Sequence, residues 1–273
     1  NRSKIDALLS VKRFIEKIDQ EYVILSDTNL VMNIDFKSMI QYHIDHEADI
    51  TVLYQTKICP NHTGLVVETD PEGRVEDAYY STIQHTEPQN MAFGVYVLSK
   101  KLLLSMLDRA YTFGWVDFDR DFITKNISKL RVYAFAHQGF SAVINTMADY
   151  YDASMKVLDS DIRRELFYSD TPIFTRVKNS VPTIYGFDGK ASNSLVADGC
   201  KIDGEIRNCI IFRDVVVEKG AVLENSIIMQ NTTIESGAHL NCVISDKDVT
   251  IGSGHMLSGY RTYPYVISKG QSV

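Results

Sequence analysis

The sequence predicts an α/β domain followed by a left-handed parallel β-helix of hexapeptide repeats, and three observations carry that reading. Helix and strand patterns alternate over residues 1–167. Residues 168–190 show no clear period and read as a linker. In residues 191–273 aliphatic side chains recur every six positions: Ile210, Val216, Val222, Ile228, Ile234 and Leu240. A coil of this kind cannot bury its own apolar face and must stack on a neighbour.

The elements of the first domain follow in order. Residues 3–19 place Ile5, Leu8, Leu9, Phe14, Ile15 and Ile18 on roughly one helical face, with Ser3 available as N-cap. The apolar run 22–25 reads as a buried strand that opens into the polar loop Ser26-Asp27-Thr28-Asn29. A helix over 36–47 and a strand over 49–54 complete a rhythm that suits a parallel sheet with crossovers. Residues 64–69 and 74–79 flank Asp70-Pro71-Glu72-Gly73, whose Pro and Gly stand at the second and fourth turn positions of a hairpin. A strand over 92–98, helices over 100–111 and 117–126, a strand over 130–136 and a helix over 146–158 follow. In the repeats, Val196 and Ile202 keep the interval before a two-residue slip, and Val243 and Val249 keep it afterwards. Gly199, Gly220, Gly237 and Gly254 fall where tight corners need a residue that tolerates positive φ.

Composition excludes several classes of function. With 45% hydrophobic and 23% charged residues in 273, the chain is globular and can build sizeable cores. A net charge of −7, with no Lys/Arg run longer than two, argues against nucleic-acid polymers and anionic membranes as partners. No stretch approaches a membrane span. The first residue is Asn1 and no leader pattern precedes the first helix, so the chain reads as an internal fragment without a signal peptide. Cys59, Cys200, Cys209 and Cys242 lack CxxC spacing; we expect them reduced, in a cytoplasmic protein.

Five blocks in fixed order, 22–36 (YVILSDTNLVMNIDF), 64–99 (ending AFGVYVLS), 117–121 (DFDRD), 132–146 (VYAFAHQGFSAVINT) and 194–257, resemble the glucose-1-phosphate adenylyltransferase (ADP-glucose pyrophosphorylase) family along the whole chain. The resemblance implies a partial, Rossmann-like nucleotidyltransferase domain with a mixed sheet ahead of the β-helix. The Gly-rich segment that cradles nucleotide phosphates in active members has no counterpart in these residues. Active members use Mg2+ and ATP, and the departures from their motifs fall on reactive positions. Asn29 stands where they carry a metal-binding Asp, and an amide brings no charge to offset a dication's dehydration. Asp27, two residues away, is the residue an active enzyme would need. Gly139, Phe140 and Thr146 set the register of a second metal motif, in which Val143 replaces the Asp and Ser141 the Trp. Tyr79-Tyr80-Ser81 replaces a Glu-Lys-Pro that grips the sugar phosphate, so Tyr80 removes its cation. Ala92 replaces a sugar-contacting Ser ahead of the retained Gly94-Val95-Tyr96. We therefore expect no catalytic residue, no metal and no cofactor bound by this chain.

The pattern is similar to the GlgD-type, non-catalytic subunit of that family. The resemblance implies a regulatory or architectural role in glycogen synthesis and a hetero-oligomer, a heterotetramer, with a catalytic subunit. A sugar-phosphate or nucleotide effector remains open. Ala92, Gly94, Asp117 and Asp121 are the candidate remnant of a sugar-phosphate pocket; helix-start acids that favour the macrodipole are the simpler reading of the last two. Arg207, Arg213 and Arg261, with Lys219, are candidates for an anionic effector, against a solvated surface. His43 and His46, beside Asp45 and Glu47, could share an ion, against a solvated helix face. Tyr260-Arg261-Thr262-Tyr263-Pro264-Tyr265 should cap the open end of the coil or contact a subunit. Two other functions compete: a catalytically active ADP-glucose pyrophosphorylase, and a hexapeptide acyltransferase, for which His239 and His255 are the candidates in the repeats.

Overall fold

The computed structural model describes residues 3–58, 64–81, 86–175 and 177–273. Cys59 lies outside the described residues. The chain divides into two compact units, Asn1–Leu30 with Ile34–Gly139, and Val31–Asn33 with Phe140–Val273.

In the first unit, α1 (Lys4–Ser10) starts on the Ser3 side chain, which accepts from the Asp6 amide at 3.1 Å. Then come α2 (Lys12–Lys17), β1 (Tyr22–Leu25) and, after a short β2 (Leu30–Met32), α3 (Phe36–Asp45). β3 (Ile50–Lys57) is followed by the hairpin of β4 (Gly64–Thr69) and β5 (Val75–Ser81), then β6 (Gln89–Ser99), α4 (Lys100–Phe113) and β7 (Val132–Ala136). The stretch expected as a helix over 117–126 is a π-helical segment, Phe118–Ile123, running into a 3-10 turn, Thr124–Asn126.

The sheet order is β5-β4-β6-β3-β7, with β1 also on β6. Only β3 and β7 pair in parallel; β6 runs antiparallel to β1, β3 and β4. The sheet is therefore mixed rather than parallel throughout, and the short turn between β4 and β5 fixes only their own antiparallel pairing. Ile50, Val52, Tyr96, Leu98, Val132 and Ala134 share a core with Ile5, Ile15, Leu103, Leu107 and Phe122 of the helices. Alternation turns Thr51 to the other face, where its hydroxyl meets His43 Nδ1 of α3 at 2.8 Å. Burial on both faces explains why β6 reads as one apolar run.

That contact corrects the reading of α3 as a solvated face. His43 is buried, and the Tyr22 ring meets it edge-on with centroids 5.3 Å apart. His46 packs between Tyr42 and Tyr133, at 4.0 and 4.8 Å.

In the second unit β2 pairs with β8 (Ser141–Val143). A capping box of Thr146 and Asp149 starts α5 (Met147–Lys156), and α6 (Ser160–Phe167) follows. The rest is a parallel solenoid of three ladders, each of five strands. The ladders begin at Ile184–Tyr185, Lys190–Ser192 and Leu195–Val196, so pairing starts ahead of residue 191. Gly199, Gly220, Gly237 and Gly254 line one corner, all with φ between 70° and 82°. Asn193, Asn208 and Asn225 line another at positive φ, and their side-chain amides bond in sequence, Asn193 to Asn208 at 2.8 Å, Asn208 to Asn225 at 3.3 Å and Asn225 to Asn241 at 3.0 Å.

The six-residue frame needs one correction. Asn208 and Asn225, stacked in adjacent coils, are 17 positions apart rather than 18. The inward residues are Ile211, Val217, Leu223, Ile228, Ile234 and Leu240, whereas Ile210, Val216 and Val222 are half-exposed. One side of each triangular coil is a residue shorter, so the inward frame slips after Leu223. Ile210 is aliphatic for a different reason: it packs against the cluster that Ile227 and Ile244 form with Tyr151 of α5. This contact also explains why α5 belongs to the same compact unit as the solenoid.

The segment 260–265 does not cap the coil. Tyr260 and Tyr263 bond to one another in a tight excursion, both exposed, before Tyr265–Ile267 rejoins the third ladder. Gln271 and Val273 pair instead with Thr250 and Gly252 at the end of the first ladder.

Candidate functional site

β6 changes partners along one edge: Met91 pairs with Val66 of β4, and Tyr96 to Ser99 pair with β1. At the fork between them the backbone turns at Gly94, with φ 69°. A Cβ there would fall on the Asp27 carboxylate and come within 3.3 Å of Lys4 Nζ. The positive φ favours glycine, and any side chain would also have to push the Asp27 carboxylate off this strand.

Lys4 is the first residue of α1, where a cation opposes the helix macrodipole. Its ammonium lies 3.0 Å from Asp27 and 3.9 Å from Asp119, which compensates for that placement. It also sits 5.2 and 5.4 Å from the centroids of the Tyr96 and Phe118 rings, a cation–π arrangement. The buried Tyr96 hydroxyl donates to Asp119 Oδ1. Burial pushes the Asp119 carboxyl above the usual range, with Lys4 and Tyr96 pulling the other way. Burial raises the Tyr96 phenol well above its ordinary value, and the neighbouring Asp119 adds to this.

The remaining candidate residues lie as follows. Asn29 belongs to the turn after β1, and Val143 is half-buried at the end of β8. Ala92 is buried in β6. Tyr80 is exposed on β5, and the Arg120 guanidinium lies 5.9 Å from its ring centroid, so a cation from another element stands beside this position. Asp117 caps the π-helical segment by accepting from the Arg120 amide at 2.8 Å. Asp121 accepts from the Val116 and Asp117 amides, each at 3.0 Å, and from Lys125 at 2.6 Å. The Lys125 bond, with those amides, draws its carboxyl down to about 2. Arg207 pairs with Glu205 and Glu224, Lys219 with Asp188, and Arg261 with Asp152. Arg213 lies half-exposed beyond the Ile210–Ile211 strand. His239 and His255 are both exposed. Among the described residues, no group of three or more His, Cys, Asp or Glu side chains could hold a metal ion.

Two residues of this cluster escaped the sequence reading, Lys4 and Asp119. The available signals were an unfavourable Lys at a helix start and an acid between Phe118 and Arg120, neither of which names a partner.

Residues 2–160 match the nucleotidyl transferase family. The chain belongs to that family. Residues 180–260, which cover most of the solenoid, match the GlmU-like C-terminal hexapeptide family. Among nucleotidyl transferase relatives, the chain is 35% identical over 254 residues to the glycogen biosynthesis protein GlgD of Geobacillus stearothermophilus, covering 92% of this chain and 63% of that protein. It is 30% identical over 225 residues to GlgD of Bacillus subtilis, covering 80% and 56%. To the glucose-1-phosphate adenylyltransferase of Thermosipho melanesiensis it is 25% identical over 223 residues, covering 80% and 54%. The chain therefore spans between half and two thirds of the length of these relatives. No helix among the described residues is long and apolar enough to cross a membrane.

Proposed function

We propose that this chain is part of a catalytically silent, regulatory or architectural subunit of glucose-1-phosphate adenylyltransferase, serving cytoplasmic glycogen synthesis beside a catalytic subunit in a hetero-oligomer. The reaction served joins ATP and glucose 1-phosphate to give ADP-glucose and pyrophosphate. The observation that carries the reading is Val143, a hydrocarbon at the position of a metal carboxylate in a motif whose register Gly139, Phe140 and Thr146 set. Nucleotidyl transfer depends on metal and cation stabilisation of phosphate charge, and valine cannot ligate a metal.

Asp27 and Asp119 do not offer a substitute set. Both are engaged with the Lys4 ammonium, and Mg2+ requires near-octahedral oxygen ligation. The residues present do not fit the divalent ion of active members. The GlgD relatives, which are named for glycogen biosynthesis, support the placement in that process.

One observation favours a second reading, an active enzyme: Arg120 places a cation beside Tyr80. The full-length protein given ATP, Mg2+ and glucose 1-phosphate should release no pyrophosphate above background. Robust turnover without a partner overturns the proposal. Loss of that turnover in Asp27→Ala, with the protein still folded, establishes the second reading.

A further inference from the structure

Elsewhere the ion pairs set one cation against carboxylates near the surface, as Arg207 with Glu205 and Glu224 or Arg261 with Asp152, but the fork of β6 holds an arrangement with a different logic. Two carboxylates distant in sequence converge on one ammonium. The ammonium is roofed by two aromatic rings, and a glycine is needed for the closure. Asp27 is the only acid between Ser26 and Ile34, so its pairing decides whether this loop has a free carboxylate to offer.

We propose that Lys4 is a tethered counter-ion: its ammonium, held between Asp27 and Asp119, takes the place a divalent cation would take, so the loop carrying Asp27 closes on β6 without a metal. The inference deepens the proposal of catalytic silence and rests on it. A lone exposed ion pair would contribute little. Here one cation stands between two converging carboxylates, one of them largely shielded from water, and removing it leaves like charges facing each other with nothing to offset them. A protein-borne cation is permanent, whereas a diffusible one depends on its concentration.

The test compares the full-length wild type with Lys4→Met, which keeps an unbranched stem and removes the charge, and with Lys4→Arg, which keeps the charge. Mn2+ binding is followed by electron paramagnetic resonance, and the thermal midpoint is measured with and without MnCl2 or MgCl2. Wild type and Lys4→Arg should take up no Mn2+ at the fork, and their midpoints should not respond to divalent ions beyond a NaCl control of equal ionic strength. Lys4→Met should have a lower midpoint, should bind Mn2+ at least about tenfold more tightly than wild type, and should recover its midpoint when Mn2+ or Mg2+ is added. A further Asp119→Asn change should abolish the gain. Lys4→Met binding no more Mn2+ than wild type, or wild type binding it equally well, overturns the proposal. If Lys4→Met does not fold unaided, refolding with MnCl2 but not with NaCl is the supporting result, and failure with both overturns it. Pyrophosphate release by wild type would sink the parent reading, while the Mn2+ measurement bears on Lys4 alone.

Discussion

His43 is a titratable group placed where it cannot easily take a charge. Its ring is buried on α3, with Thr51 on Nδ1 and the edge of Tyr22 against it. Burial holds its pKa below the ordinary value, although the nearby Asp49 pulls upward. The folded state therefore takes up this proton at lower pH than the unfolded chain does. The contribution is intact above the unfolded pKa of about 6.5 and is lost as pH falls from there through the lowered folded value. Denaturant titrations between about pH 7 and pH 5 should show stability falling on acidification. His43→Gln should flatten that dependence, and an unchanged slope would count against the burial argument. Gly94 is the other residue whose identity the fold demands, since both its φ and the seat of Asp27 exclude a side chain.

At the scale of elements, the solenoid separates two kinds of aliphatic position that look alike in sequence. Ile228 is fully buried and points into the coil, whereas Val216 sits next to the inward Val217 and is half-exposed. Ile228→Ala should cost about 2–5 kcal/mol, as expected for a cavity in a packed core. Val216→Ala should cost about 1 kcal/mol or less, since the burial removed is partial. Urea unfolding of the two variants checks this, and equal losses would restore the simple six-residue frame. The legibility of the solenoid follows the same division. Corner glycines were readable because positive φ is a local requirement, but the shorter side of the coil was not. Ile210, Val216 and Val222 are adjacent to inward positions, and for Ile210 the reason for being aliphatic lies outside the coil, in the cluster around Tyr151.

For the whole molecule, the proposed silence implies that its surfaces still matter, because the fold is then kept for something other than its own chemistry. Coupling between subunits needs only that a partner's two states contact this chain differently. Mixed with a catalytic homologue, the full-length protein should co-purify with it and change its apparent substrate affinity or its response to effectors. A catalytic subunit whose kinetics are identical with and without this chain would remove the regulatory half of the proposal and leave at most an architectural one.

The sequence by itself determined the succession of an α/β domain and a repeat solenoid, the glycine corners, and the helix starts at Ser3 and Thr146, and it set Val143 where the resemblance implies a carboxylate. All of these are local in character: a period, a cap, a turn, or one residue in an anchored motif. Only the tertiary structure decided that Lys4 meets Asp27 and Asp119, that His43 turns inward, and that Arg120 stands over Tyr80. A sequence pattern shows which face is apolar and where the chain can turn. Which charges face each other across distant segments depends on how strands are ordered and where β6 exchanges one neighbour for another, and that information exists only once the sheet has closed.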